Sequence, residues 1–145
     1  MAVFDPTKEA APGSPYAGLV SKGGLGAGPR AYQKTFWFNV SAARLGCGDR
    51  AQDSSCVITI SAVKYSAELE EEEVAEKVEL SVPSCPEGET CRLALRELGD
   101  AYRGLSAIVF EGTVGGKPVN VFLDDLQMEW YDNSCEAGLE RVGSR

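Results

Sequence analysis

From Tyr32 onward the chain is cut into short runs of β-branched and aromatic residues bounded by turn formers, and this spacing restricts its fold more than any other feature. Thr35–Ala43, Val57–Tyr65, Glu76–Val82, Leu93–Leu98, Ser106–Val114 and Val119–Trp130 read as strands. Between the last two, Gly115-Gly116-Lys117-Pro118 predicts a hairpin, because consecutive glycines accept the positive φ of a tight connection. No long amphipathic helix interrupts the runs. The expected fold is therefore all-β, an antiparallel two-sheet β-sandwich of jelly-roll type. With 145 residues the chain fits one core. The predicted organisation is a Gly/Pro-rich arm over 1–31 with an edge strand at Tyr16–Val20, a sandwich over 32–141, and a short tail over 142–145. Glu70-Glu71-Glu72-Glu73 reads as solvated surface, in a helical turn or an extended hairpin loop.

The chain has five cysteines and no histidine. Lack of histidine removes the commonest general base, the commonest zinc ligand and the usual partner of a catalytic serine or cysteine. Cys47/Cys56 and Cys85/Cys91 each close a short loop, which suits disulfides in an oxidising, extracellular setting, and neither spacing is that of a zinc knuckle. Cys135 is then left over, to be buried, to link two chains, or to await a partner segment.

The formal charge is −8, and the basic residues form no stripe that would track phosphates, which argues against nucleic acid. No apolar run approaches the roughly 20 residues that span a bilayer, so no membrane partner is expected. Met1–Ala11 has neither the basic start nor the apolar stretch of a secretory leader.

Alternation in the first run puts Phe36, Phe38, Val40 and Ala42 on one face and Trp37, Asn39 and Ser41 on the other. Asn39-Val40-Ser41 is an N-glycosylation sequon, and a glycan on Asn39 would turn the Trp37 face to solvent. An outward indole suits stacking on a sugar ring or another apolar ligand, although packing of Trp37 beneath a loop, the Gly-rich arm or the glycan itself is the stronger reading. Tyr32, Tyr102 and Arg103 complete the candidate ligand-binding set.

In the last run, parity places Asp124 with Phe122, Leu126, Met128 and Trp130, and Asp125 with Gln127 and Glu129. A carboxylate on a core face needs compensation. Backbone amides, an arginine such as Arg103 or Arg30, or a bound Ca²⁺ would each supply it. Side chains of adjacent strand residues point apart, so the two aspartates are no catalytic pair.

Several motifs taken in order carry a resemblance: Gly28-Pro29-Arg30-Ala31-Tyr32, Phe36-Trp37-Phe38, Leu45-Gly46-Cys47, Pro83-Ser84-Cys85-Pro86, Tyr102-Arg103-Gly104-Leu105-Ser106, Phe122-Leu123-Asp124-Asp125-Leu126 and Cys135-Glu136-Ala137-Gly138. Over roughly residues 14–141 the chain resembles an uncharacterised family of secreted fungal β-rich domains, similar to galactose-binding-like jelly rolls. The resemblance implies secretion and two local disulfides, and by analogy a structural Ca²⁺ held at Asp124 or Asp125. The chain departs from the family in a shortened stretch before Gly28, which would expose a sheet edge and invite a homodimer. The expected function is a non-catalytic extracellular module that binds a glycan or another ligand. A wall-protein adhesion module, or an enzyme acting on a small apolar metabolite, are the alternatives.

Overall fold

The computed structural model describes residues 2–4, 24–48, 56–82 and 93–143. Strands β1 (Ala2–Phe4), β2 (Gly24–Gly26), β3 (Phe38–Gly48), β4 (Cys56–Ser66), β5 (Glu71–Val82), β6 (Ala94–Glu97), β7 (Ala107–Val114) and β8 (Lys117–Trp130) precede one helix, α1 (Cys135–Gly143). The strands pair antiparallel in the order β5-β4-β7-β8-β3-β6, with β1 added to β8 and β2 to β7. The all-β antiparallel expectation thus holds. In place of two separate sheets, however, hydrogen bonding follows one continuous path that curls on itself.

The curl turns on β8. Its first residues, Lys117–Val119, pair with Val114–Gly112 of β7, and from Asn120 to Trp130 it pairs with β3. The halves are thereby folded together, and β3 packs on β4 and β7. Gly112 permits the crossing: a Cβ there would stand 2.8 Å from Val121 Cγ2 and 3.3 Å from Cys47 Cβ. The hairpin into β8 has positive φ at both Gly115 and Gly116, as the sequence predicts. At the far ends of the path, Arg96 Nη2 of β6 donates to the Ser81 carbonyl of β5 at 2.9 Å.

Inside the curl lie Phe110, Leu45, Ile58, Ile60, Leu105 and Ile108, all buried. Cys47 at the end of β3 and Cys56 at the start of β4 are bonded, with Cα atoms 6.1 Å apart. The bridge therefore joins strands from opposite halves of the curl, beyond simply closing a loop. The expected Cys85–Cys91 bridge and the Tyr16–Val20 strand lie outside the described residues.

Three expectations need correction. Lys34–Phe36 forms a 3-10 turn, so β3 begins at Phe38, and two register slips between Val40 and Arg44 bury Ala42 and Ala43 together. The glutamate run is split: residues 67–70 turn, Glu70 takes a positive φ, and Glu71–Glu73 enter β5. The chain after Trp130 turns into α1. Ser134 Oγ caps its first turn by accepting from Ala137 N–H at 3.1 Å.

Candidate functional site

Two 3-10 turns, Gly28–Arg30 and Lys34–Phe36, raise the chain between β2 and β3 over the end of β8. Gly28 starts the segment with φ 61°, a conformation glycine adopts without strain. The Ala27 amide ties it to the Ser106 carbonyl at 2.8 Å, and the Ala31 amide donates to the Gly28 carbonyl at 3.1 Å. Beneath it, β8 ends with Met128 and Trp130 at 48% and 43% exposure.

The space between is a cleft of about 440 Å³, lined chiefly by Leu25, Arg30, Phe36, Phe38, Met128 and Trp130. Arg30 is half-buried, its guanidinium carbon 5.2 Å from the Phe36 ring centroid. Arg141 of α1 lies 4.4 Å over Trp130, and its Nη1 donates to the carbonyls of Thr35 and Asp132 at 2.6 and 3.1 Å. The helix thus braces both the raised segment and the Trp130 ring. Among the described lining residues Arg30 alone has an ionisable side chain, and the others offer shape and aliphatic and aromatic surface.

The expected ligand-binding residues do not converge on this cleft. Trp37 is half-buried: its indole N–H donates to the Ala31 carbonyl at 2.7 Å and its ring packs 6.1 Å from that of Tyr131. It braces the raised segment from below. Tyr102 is a core residue, 3% exposed, because the 3-10 turn Asp100–Tyr102 points it inward and its hydroxyl donates to the Ile60 carbonyl at 2.7 Å. Burial, reinforced by the charge of Glu76 and opposed by a backbone hydrogen bond from Val78, pushes its pKa up to about 12. Tyr32 and Arg103 are exposed, and the Tyr32 hydroxyl accepts from Gln33 Nε2 at 2.8 Å.

Asn39, the residue of the sequon, is a buried side chain with hydrogen-bond partners on both sides. It is 5% exposed, its Oδ1 accepts from Gly104 N–H at 2.8 Å, and its Nδ2 donates to Glu129 Oε1 at 3.4 Å. Gly104, with φ 64°, makes the turn that presents this amide. Asn39→Ala leaves the Gly104 N–H unpaired in a partly buried site and is expected to lower stability by about 1–3 kcal/mol. A urea midpoint unmoved from wild type would show the pair to be incidental.

Asp124 and Asp125 are both exposed, which corrects the placement of Asp124 on the core face. Alternation breaks here: Asp125 has φ 48°, and the β3–β8 register slips beyond Asp124. Asp124 Oδ1 accepts from the Asp125 amide, and Asp125 Oδ2 pairs with Arg44 Nε, each at 2.9 Å. An exposed pair of this kind contributes about 0–1 kcal/mol. Calcium takes about 6–8 oxygen ligands. Among the described residues no group of three His, Cys, Asp or Glu side chains could hold a metal. Cys135 is an exposed free thiol at the start of α1.

Trp130, and not Trp37, is the tryptophan that lines the cleft. Trp130 shares with Met128 the position at the end of the last strand where large apolar residues outrun the core, and that is the signal that finds the cleft. Fold and cleft together define a small antiparallel β-domain, clamped by a disulfide between its halves and open at one end through an aromatic-lined pocket. The chain belongs to a family described as a domain of unknown function, DUF7371, whose family model matches residues 1–141. No curated protein and no solved structure matches it.

Proposed function

We propose that the protein is a non-catalytic extracellular binding module whose ligand is a small, largely apolar molecule seated between Phe36 and Trp130. The observation that carries this reading is the cleft lining, whose described residues are mostly aromatic and aliphatic. Export is supported by the Cys47–Cys56 bridge, which persists best in an oxidising compartment. The curl, with β3 packed on β4 and β7, fits a sandwich-like closure akin to a jelly roll. A sugar ligand is less favoured, because Trp37 is committed to Ala31 and Tyr102 to Ile60, and among the described lining residues Arg30 is the one polar side chain to read hydroxyl groups.

The test uses the uncharged dye Nile red. Binding with increased dye fluorescence is expected, weakened about tenfold or more by Met128→Lys, because a hydrated ammonium in the lining opposes apolar contact. Met128 is half exposed, so the variant is expected to melt near wild type. Equal dye binding by both proteins, or retention on a glycan array with no dye binding, would refute the apolar reading.

A further inference from the structure

Resting on that reading, we propose that the cleft selects a flat aromatic ring over a puckered or flexible apolar molecule, with Arg141 as the positioning residue that sets the spacing of its walls. Three of the described lining residues, Phe36, Phe38 and Trp130, present rings, and they come from the raised segment, the start of β3 and the end of β8. Aromatic pairs are favoured beyond the area they bury when their centroids settle about 4.5–7 Å apart, offset-stacked or edge to face. A saturated ligand gains only the area.

That extra gain requires rings that stay in place, and the residues on either side of Phe36 and Trp130 are tied to one another. Arg141 Nη1 donates to the carbonyl of Thr35, the residue before Phe36, at 2.6 Å and to that of Asp132, two residues after Trp130, at 3.1 Å. The Tyr131 amide donates to the Trp37 carbonyl at 3.0 Å. The Arg141 guanidinium carbon also lies 4.4 Å from the centroid of the Trp130 ring, and Arg141 does not itself line the cleft. One face of the indole is thus engaged, and a ligand meets the other face or the edge. Through this one side chain α1 holds the raised segment to the end of β8, so the walls resist spreading around a thick ligand.

The experiment compares three neutral alcohols of equal carbon number, naphthalenemethanol, its fully hydrogenated form and undecanol, by displacement of Nile red from the full chain. The two saturated molecules are the more hydrophobic, so an unselective apolar surface binds them at least as well. The flat alcohol is expected to bind about fivefold or more tightly than its hydrogenated form, as stacking against more than one ring provides. Arg141→Met keeps a long side chain but releases both walls. It is expected to bring that ratio to about one while undecanol stays within about twofold of wild type. Arg141→Lys is expected to restore only part of the ratio, since an ammonium keeps a cation over the ring without the planar fork.

A hydrogenated alcohol that binds as tightly as the flat one, or more so, overturns the proposal while leaving an apolar cleft in place. A ratio that survives in Arg141→Met also overturns it, since the spacing then has another source. Failure of the dye and of all three alcohols removes the underlying reading as well. Should Arg141→Met fold poorly, Arg141→Lys is read beside Trp130→Leu, which replaces a half-exposed ring by an apolar side chain and is expected to lose the ratio with undecanol still bound. The wild-type ratio in both of these variants overturns the proposal.

Discussion

Removal of the Cys47–Cys56 bridge is expected to lower the unfolding free energy by about 3 kcal/mol, the loop-entropy value for a short closed loop. In a domain of this size that is a fall of roughly 10 °C in melting temperature. The size of the effect rests on where the bridge sits. Both cysteines are fully buried, one ending β3 and one beginning β4, so the bond fastens the two halves of the curl at the point where Gly112 lets them approach. The measurement is urea unfolding of the Cys47→Ala/Cys56→Ala pair against wild type under non-reducing conditions. Using the variant in place of a reductant confines the change to these two positions. A difference below about 0.5 kcal/mol would mean that the strand ladders alone hold the halves together.

Tyr102 is the second position where a large effect is expected. Tyr102→Ala empties a buried aromatic site against the core and is expected to cost about 3–5 kcal/mol. Tyr102→Phe keeps the ring but leaves the Ile60 carbonyl without its donor, at about 1–3 kcal/mol. The same hydroxyl makes stability fall in alkali. Its pKa is about 12 in the folded protein against 10.0 for an ordinary tyrosine, so the folded state holds the proton more firmly than the unfolded state. Its contribution is complete below pH 10 and is withdrawn as the pH rises from 10 through 12, to a total on the order of 2–3 kcal/mol. Urea midpoints of wild type and Tyr102→Phe across that window are the check. The wild-type curve is expected to fall more steeply, and parallel curves would place the hydroxyl in contact with water.

The strands were legible because their signal is local. Val57–Tyr65, Ser106–Val114 and the glycine turn after Val114 appear within a residue or two of where the sequence puts them. The closure was not legible, since nothing local says that β8 divides its hydrogen bonds between β7 and β3. Parity failed where the backbone slips: the positive φ at Asp125 shifts the face on which Asp124 was expected, and the slips near Ala42 do the same in β3. Helix α1 was within reach of the sequence, because Ser134 followed by Glu136 in the first turn is an N-terminal helix signature. The cleft needed the fold, for Phe36 and Trp130 are far apart in the chain and meet only after the raised segment crosses β8.

A strand that belongs to both halves also governs how the molecule comes apart. If β8 frays from its Trp130 end, β3 loses its main ladder, and if it peels from its Lys117 end, the hairpin with β7 opens. Neither half retains a complete set of neighbours without it, so the domain has no natural line along which to divide and should melt as one cooperative unit. Ligand seated at the Trp130 end would then tighten both halves, because whatever steadies that terminus steadies the strand that joins β7 to β3.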